Sequence, residues 1–162
     1  MPRTMMKRRV AVAAGLTLLV LGSLHFYLLD GIDGLLWSWA FADDTQYTAR
    51  YSDWKFRRVG KAMSEQEVRD LIGDPFTEVW WYEGDYKVMF EGDSVVATYG
   101  ARARSGPVKE DMSRASVLEI AGAPLRKRWI FTRSAHGDSY RTRIVEFTGL
   151  RVTEKIHDFY ID

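Results

Sequence analysis

Residues 59–82 read VGKAMSEQEVRDLIGDPFTEVWWY, and residues 108–131 read VKEDMSRASVLEIAGAPLRKRWIF. The second stretch repeats the first at a constant offset of 49. Val59, Met63, Ser64, Val68, Gly73, Pro75 and Trp80 become Val108, Met112, Ser113, Val117, Gly122, Pro124 and Trp129. Seven identities over 22 positions without a gap mark an internal duplication. Ser64 and Ser113 stand where a helix N-cap belongs, and Glu67 completes a capping box in the first copy. Val68, Leu71 and Ile72, repeated as Val117, Ile120 and Ala121, form an apolar stripe at helical spacing. Gly73 and Gly122 fit the residue after the helix, and Pro75 and Pro124 stop it.

Working outward, Asp53 to Val59 predicts a further helical turn, with Trp54 and Phe56 for packing. Strands are predicted over 77–83, 86–91 and 95–99 in the first copy, joined by short Gly-Asp turns. The second copy predicts strands over 126–133, 140–147 and 150–157, with a longer loop at 134–139. Alternation places Trp80 with Tyr82, and Trp129 with Phe131, on the face under the helices. The opposite face carries Trp81, Met89, Arg128, Ile130 and Ile144, the candidate partner-binding residues. Large apolar groups on an open sheet face mark an interaction surface, unless the two sheets pack on each other.

Towards the N-terminus, Arg3, Lys7, Arg8 and Arg9 precede an uncharged run from Val10 to Leu29, and Asp30 and Asp33 follow it. Twenty residues at about 1.5 Å each match a bilayer core. The charge asymmetry predicts a cytoplasmic N-terminus. The expectation is therefore a cytoplasmic tail over 1–9, a transmembrane anchor over 10–29 and a juxtamembrane linker over 30–52. Two modules follow at 53–100 and 101–162. Trp37, Trp39 and Phe41 are candidates for an outer aromatic belt, and His25 lies near the end of the run. A cleaved signal peptide ending near Ala40-Phe41-Ala42 is the alternative.

The formal net charge of +1 conceals a pattern. Residues 30–100 hold 7 basic and 14 acidic side chains, whereas residues 101–162 hold 12 basic and 8 acidic. The halves therefore carry opposite signs, which lets them attract each other or offer different faces to a partner. The absence of cysteine excludes disulfides, thiolate ligands, thiol catalysis and a lipid-modified Cys.

The run Val-x-x-x-Met-Ser-x-x-x-Val-x-x-x-x-Gly-x-Pro followed by aromatic strands resembles the SmpA/OmlA (BamE-like) family of small envelope modules. Its tandem duplication also resembles the β-lactamase inhibitory proteins. That family has Gly just before the Met, where this chain has Ala62 and Asp111. The resemblance implies an α+β fold of two tandem helix and antiparallel three-stranded sheet modules. It also implies a protein-binding role in a bacterial cell envelope.

No nucleophile elbow, phosphate loop or dinucleotide fingerprint occurs. The histidines are His25, His136 and His157, too few and too scattered for a recognisable metal motif. No cofactor, metal, catalytic residue or nucleic-acid partner is expected; a small-molecule ligand stays open. The leading expectation is a non-enzymatic interaction module on the periplasmic side of the bacterial inner membrane, with an envelope or membrane protein as partner. The alternative is an inhibitor-like or ligand-binding protein acting through the sheet face.

Overall fold

The computed structural model describes residues 12–23, 44–100, 106–136 and 139–160. The chain divides into two units, Met1–Ala42 and Asp43–Asp162. In the first, the described part is helix α1, residues 12–23. Among the described residues no helix is long and apolar enough to cross a membrane. This corrects the sequence reading. The expected anchor over residues 10–29 is not supported, and neither is the single-pass inner-membrane location that rested on it. That reading rested on the length of the apolar run and its flanking charges alone. His25, Trp37, Trp39 and Phe41 lie outside the described residues.

The second unit begins with strand β1 (Thr45–Tyr47), inside the stretch read as a linker. Helix α2 (Asp53–Arg58) is the helical turn that the sequence predicted, N-capped by Ser52. Helix α3 (Glu65–Ile72) has the capping box. Ser64 Oγ accepts from Glu67 N–H at 3.3 Å, and the Glu67 carboxylate accepts from Ser64 N–H at 2.7 Å. Strands β2 (Thr77–Trp81), β3 (Lys87–Glu91) and β4 (Ser94–Tyr99) follow. The second copy supplies helix α4 (Arg114–Ala121), capped by Ser113, and strands β5 (Arg126–Ile130), β6 (Thr132–Ser134), β7 (Tyr140–Thr148) and β8 (Arg151–Tyr160). The strand expected over 126–133 is broken at Phe131, whose carbonyl accepts from Thr48 N–H, and β6 pairs with β1.

The expectation of two separate three-stranded sheets is also corrected. The strands form one antiparallel six-stranded sheet, ordered β4-β3-β2-β5-β7-β8. The first strand of each copy pairs with the other's, with Val79 opposite Arg128. Each copy would otherwise expose the unpaired ladder groups along one side of its first strand, and this pairing covers both.

The helices cross over. Val68 and Ile72 of α3 pack in one core with Trp129, Phe131, Val145, Phe147 and Val152 from the second copy's strands. Val117 of α4 packs with Trp80, Val88, Phe90 and Val95 from the first copy's strands. Equivalent backbone hydrogen bonds fix both crossings, from positions 62 and 63 in one copy and 111 and 112 in the other. Ala62 N–H donates to Val152 O and Val152 N–H to Met63 O; Asp111 N–H donates to Val95 O and Val95 N–H to Met112 O, all at 2.9 Å. Trp80, Trp129 and Phe131 are buried under helices as the alternation required. Ile120, expected in the α4 stripe, is instead 46% exposed.

Charge follows the same crossing. Lys127 Nζ meets Glu65 Oε1 at 2.8 Å, and Arg114 Nη2 meets Glu78 Oε2 at 3.0 Å. Residues 65 and 114 are equivalent in the repeat, and so are residues 78 and 127. At these positions helix and strand within one copy therefore carry like charges, and the opposite charges meet across copies.

Ala62 and Asp111 adopt φ of 68° and 66°, the left-handed region that costs a residue with a Cβ roughly 1 kcal/mol. Ala62→Gly and Asp111→Gly are each expected to stabilise the fold by roughly 0.5–1 kcal/mol, less where glycine's unfolded-state entropy offsets the relief. Urea denaturation of the single and double variants checks this, and a lowered midpoint would contradict it.

Candidate functional site

Antiparallel register carries the alternation of each strand across the whole sheet, so the face away from the helices can be read in rows. One row runs Tyr99, Lys87, Trp81, Arg126 and Thr148. The next runs Ala97, Met89, Val79, Arg128, Glu146 and Glu154. A third runs Glu91, Thr77, Ile130, Ile144 and Ile156. The candidate residues Trp81, Met89, Arg128, Ile130 and Ile144 thus lie on one face of four neighbouring strands, all half-buried. The sheets do not stack on each other, so the two copies build a single shared surface.

Trp81 is the centre of this face. The Arg126 and Arg128 guanidinium carbons lie 5.0 Å from its ring centroid, and Lys87 Nζ lies at 5.7 Å. Such contacts contribute about 0.5–1 kcal/mol each at exposed sites. Their second effect is to fix the ring and the cations relative to one another. Arg128 is further held by Glu146, which accepts from its Nε at 2.7 Å and from its Nη2 at the same oxygen. Arg126 Nη1 stands 3.8 Å from the other Glu146 oxygen. Glu146 is buried, whereas the Arg126 side chain is 45% exposed. Three cations and one carboxylate leave the cluster with an excess positive charge around an aromatic ring.

The sequence marks Arg126, Lys127 and Arg128 as a basic cluster at a strand start, suited to anionic headgroups or an acidic partner, whereas Lys87 and Glu146 were not singled out. Position 126 alternates with 128 and 130, and position 87 with 89, so period two already put them on this face. Glu146 required the pairing of β5 with β7, which alternation does not specify.

Other candidates fall elsewhere. Ser64 and Ser113 are helix caps, Ser113 Oγ accepting from Ser116 N–H at 3.2 Å. His136 is exposed, with Nδ1 3.7 Å from Asp44, whereas His157 on β8 lies opposite Arg143. Among the described residues no group of three or more His, Cys, Asp or Glu side chains is placed to hold a metal ion. No protein-family model matches the chain, and neither the curated proteins nor the solved structures provide a match.

Proposed function

We propose that the chain is a non-enzymatic protein-interaction module that docks an acidic partner surface on the open face of its six-stranded sheet. The observation that carries this reading is Trp81 held among Lys87, Arg126 and Arg128. Trp and Arg are enriched among the residues that carry most of the binding energy at the centres of protein interfaces. The row Ile130, Ile144 and Ile156 extends an apolar surface beside the cations. A partner with carboxylates flanking an apolar centre complements both. The resemblance to SmpA/OmlA modules and to tandem inhibitory proteins supports binding rather than catalysis. It makes envelope assembly or integrity the process in which to seek the partner.

Photocrosslinking in the source cells tests the surface. A photoreactive side chain at Met89, on this face, is expected to give a discrete protein adduct. One at exposed Arg58 of α2 is expected to give none. Equal yields from both positions, or no adduct from Met89, would remove the sheet face as the working surface.

A further inference from the structure

The two copies share a feature that neither the serine caps nor the charge pairs account for, a methionine folded back on the turn that leads into each helix. Gly60 N–H donates to Met63 Sδ at 3.3 Å, and Lys109 N–H donates to Met112 Sδ at 3.4 Å. The same turns are closed by Met63 N–H to Gly60 O at 3.3 Å and by Met112 N–H to Lys109 O at 3.4 Å. Each thioether therefore takes a backbone donor that the turn leaves over. Inside each turn stands a residue of positive φ, Ala62 or Asp111. The sulfur thus helps to hold a conformation that a residue with a Cβ resists.

Each methionine also joins several parts of the crossing. Its carbonyl accepts from an edge strand of the other copy, Met63 O from Val152 N–H and Met112 O from Val95 N–H. The next residue, Ser64 or Ser113, caps the helix. Met63 packs on the core that holds Ile72 and Val152, and Met112 on the core that holds Val117 and Val95. Both side chains are only half-buried. Met63 borders an open groove with Arg58, Glu67, Asp70 and Leu71, and the Lys109–Met112 hydrogen bond is exposed, so a small reagent reaches either sulfur. Met89 is the third methionine among the described residues. It lies on the other face of the sheet and belongs to neither core.

We propose that Met63 and Met112 are paired oxidation sites through which a peroxide loosens the crossing of the two copies. A lone pair on Sδ attacks one peroxide oxygen. The S–O bond forms as the O–O bond breaks, and the departing hydroxide takes the proton from the transferred oxygen and leaves as water. The sulfur loses two electrons, and the peroxide gains them. The sulfoxide is polar where the thioether was apolar. Every direction open to its oxygen weakens the turn. Towards the Gly60 or Lys109 N–H, it stands between sulfur and nitrogen and pushes the turn open. Towards the core, it is a polar atom among valines. Towards solvent, it draws the side chain off both the N–H and the core. Because the two sites are equivalent, one reagent acts on both crossings. Methionine sulfoxide reductases reverse the step, which makes it a switch.

The test treats the full chain with hydrogen peroxide and maps the sulfoxides by mass spectrometry. Urea unfolding and amide exchange are measured before and after. Conversion at residues 63 and 112 is expected to raise the unfolding equilibrium constant by about tenfold per site, the effect of one ill-placed buried polar group. Exchange is expected to quicken at α3 and α4 and to change less at the β1–β6 pair. A methionine sulfoxide reductase is expected to reverse both changes. Met63→Leu with Met112→Leu keeps the apolar volume and is expected to unfold at the same urea concentration with and without peroxide, although Met89 is still converted. Met89→Leu is expected to respond as the wild type does. Full conversion of both residues with an unchanged midpoint would overturn the inference. So would a double variant that peroxide destabilises as much as the wild type, or peroxide that converts Met89 and leaves Met63 and Met112 intact. If the double variant fails to fold, the wild-type and Met89→Leu proteins decide the matter.

Discussion

Lys127→Glu is expected to lower folding stability by about 3 kcal/mol, and adding Glu65→Lys is expected to restore most of it. Both side chains are mostly buried, at 14% and 22% exposure, so solvent screens the pair only in part. The single change leaves Glu65 without its cation and sets two carboxylates together under the helix. The double change re-forms the pair with its signs exchanged. Rescue is incomplete because residue 127 lies diagonally across the sheet from Glu78, which is buried and already paired with Arg114. Urea denaturation of the two single variants and the double variant gives the coupling directly. Additive losses would mean that the charges do not specify the crossing. The pattern matters because the alternative topology, with each helix over its own strands, opposes Glu65 to Glu78 and Arg114 to Lys127. Repulsion there disfavours a fold that the repeated apolar stripes would otherwise accept equally well.

Trp81→Ala is expected to weaken partner binding by at least about 30-fold, the loss typical of an interface hot spot of 2 kcal/mol or more. Its ring lies on the side of the sheet away from both hydrophobic cores, so the chain should stay folded, with the midpoint of unfolding lowered only by the loss of the ring's contacts with Lys87, Arg126 and Arg128. Lys87→Ala with Arg126→Ala is expected to act differently. Removing two cations while keeping the Arg128–Glu146 pair lowers the association rate and flattens the dependence of affinity on salt, with a smaller loss at high ionic strength. A Trp81→Ala protein that unfolds at markedly lower urea would identify Trp81 as a structural residue and remove it from the binding surface.

Much of this architecture was legible in the sequence because it depends on local periodicity. The offset-49 repeat located α3 and α4, their serine caps and their glycine ends. Period two separated Trp80 and Trp129 from Trp81 and Arg128, and the sheet keeps that separation. The strand partners were not legible, since alternation says which face a residue takes and not which strand lies beside it. Hence β2 and β5 were read as members of two sheets instead of neighbours in one. The crossing of the helices was hidden for the same reason. Its trace was the opposite charge of the two halves, which takes specific form in Glu65 with Lys127 and Glu78 with Arg114. Strand β1 was missed because three residues, Thr45–Tyr47, are too few for a period to show. The apolar run at residues 10–29 illustrates the opposite error. Its length satisfied the hydropathy rule, yet among the described residues no helix is long and apolar enough to cross a membrane.

The most direct test of the binding face is the affinity of the protein captured from Met89, measured for the wild-type chain and for Trp81→Ala with unfolding midpoints alongside. The account predicts a loss of about 30-fold or more in a protein that stays folded, its midpoint only modestly lowered. Equal affinities for the two proteins would contradict it.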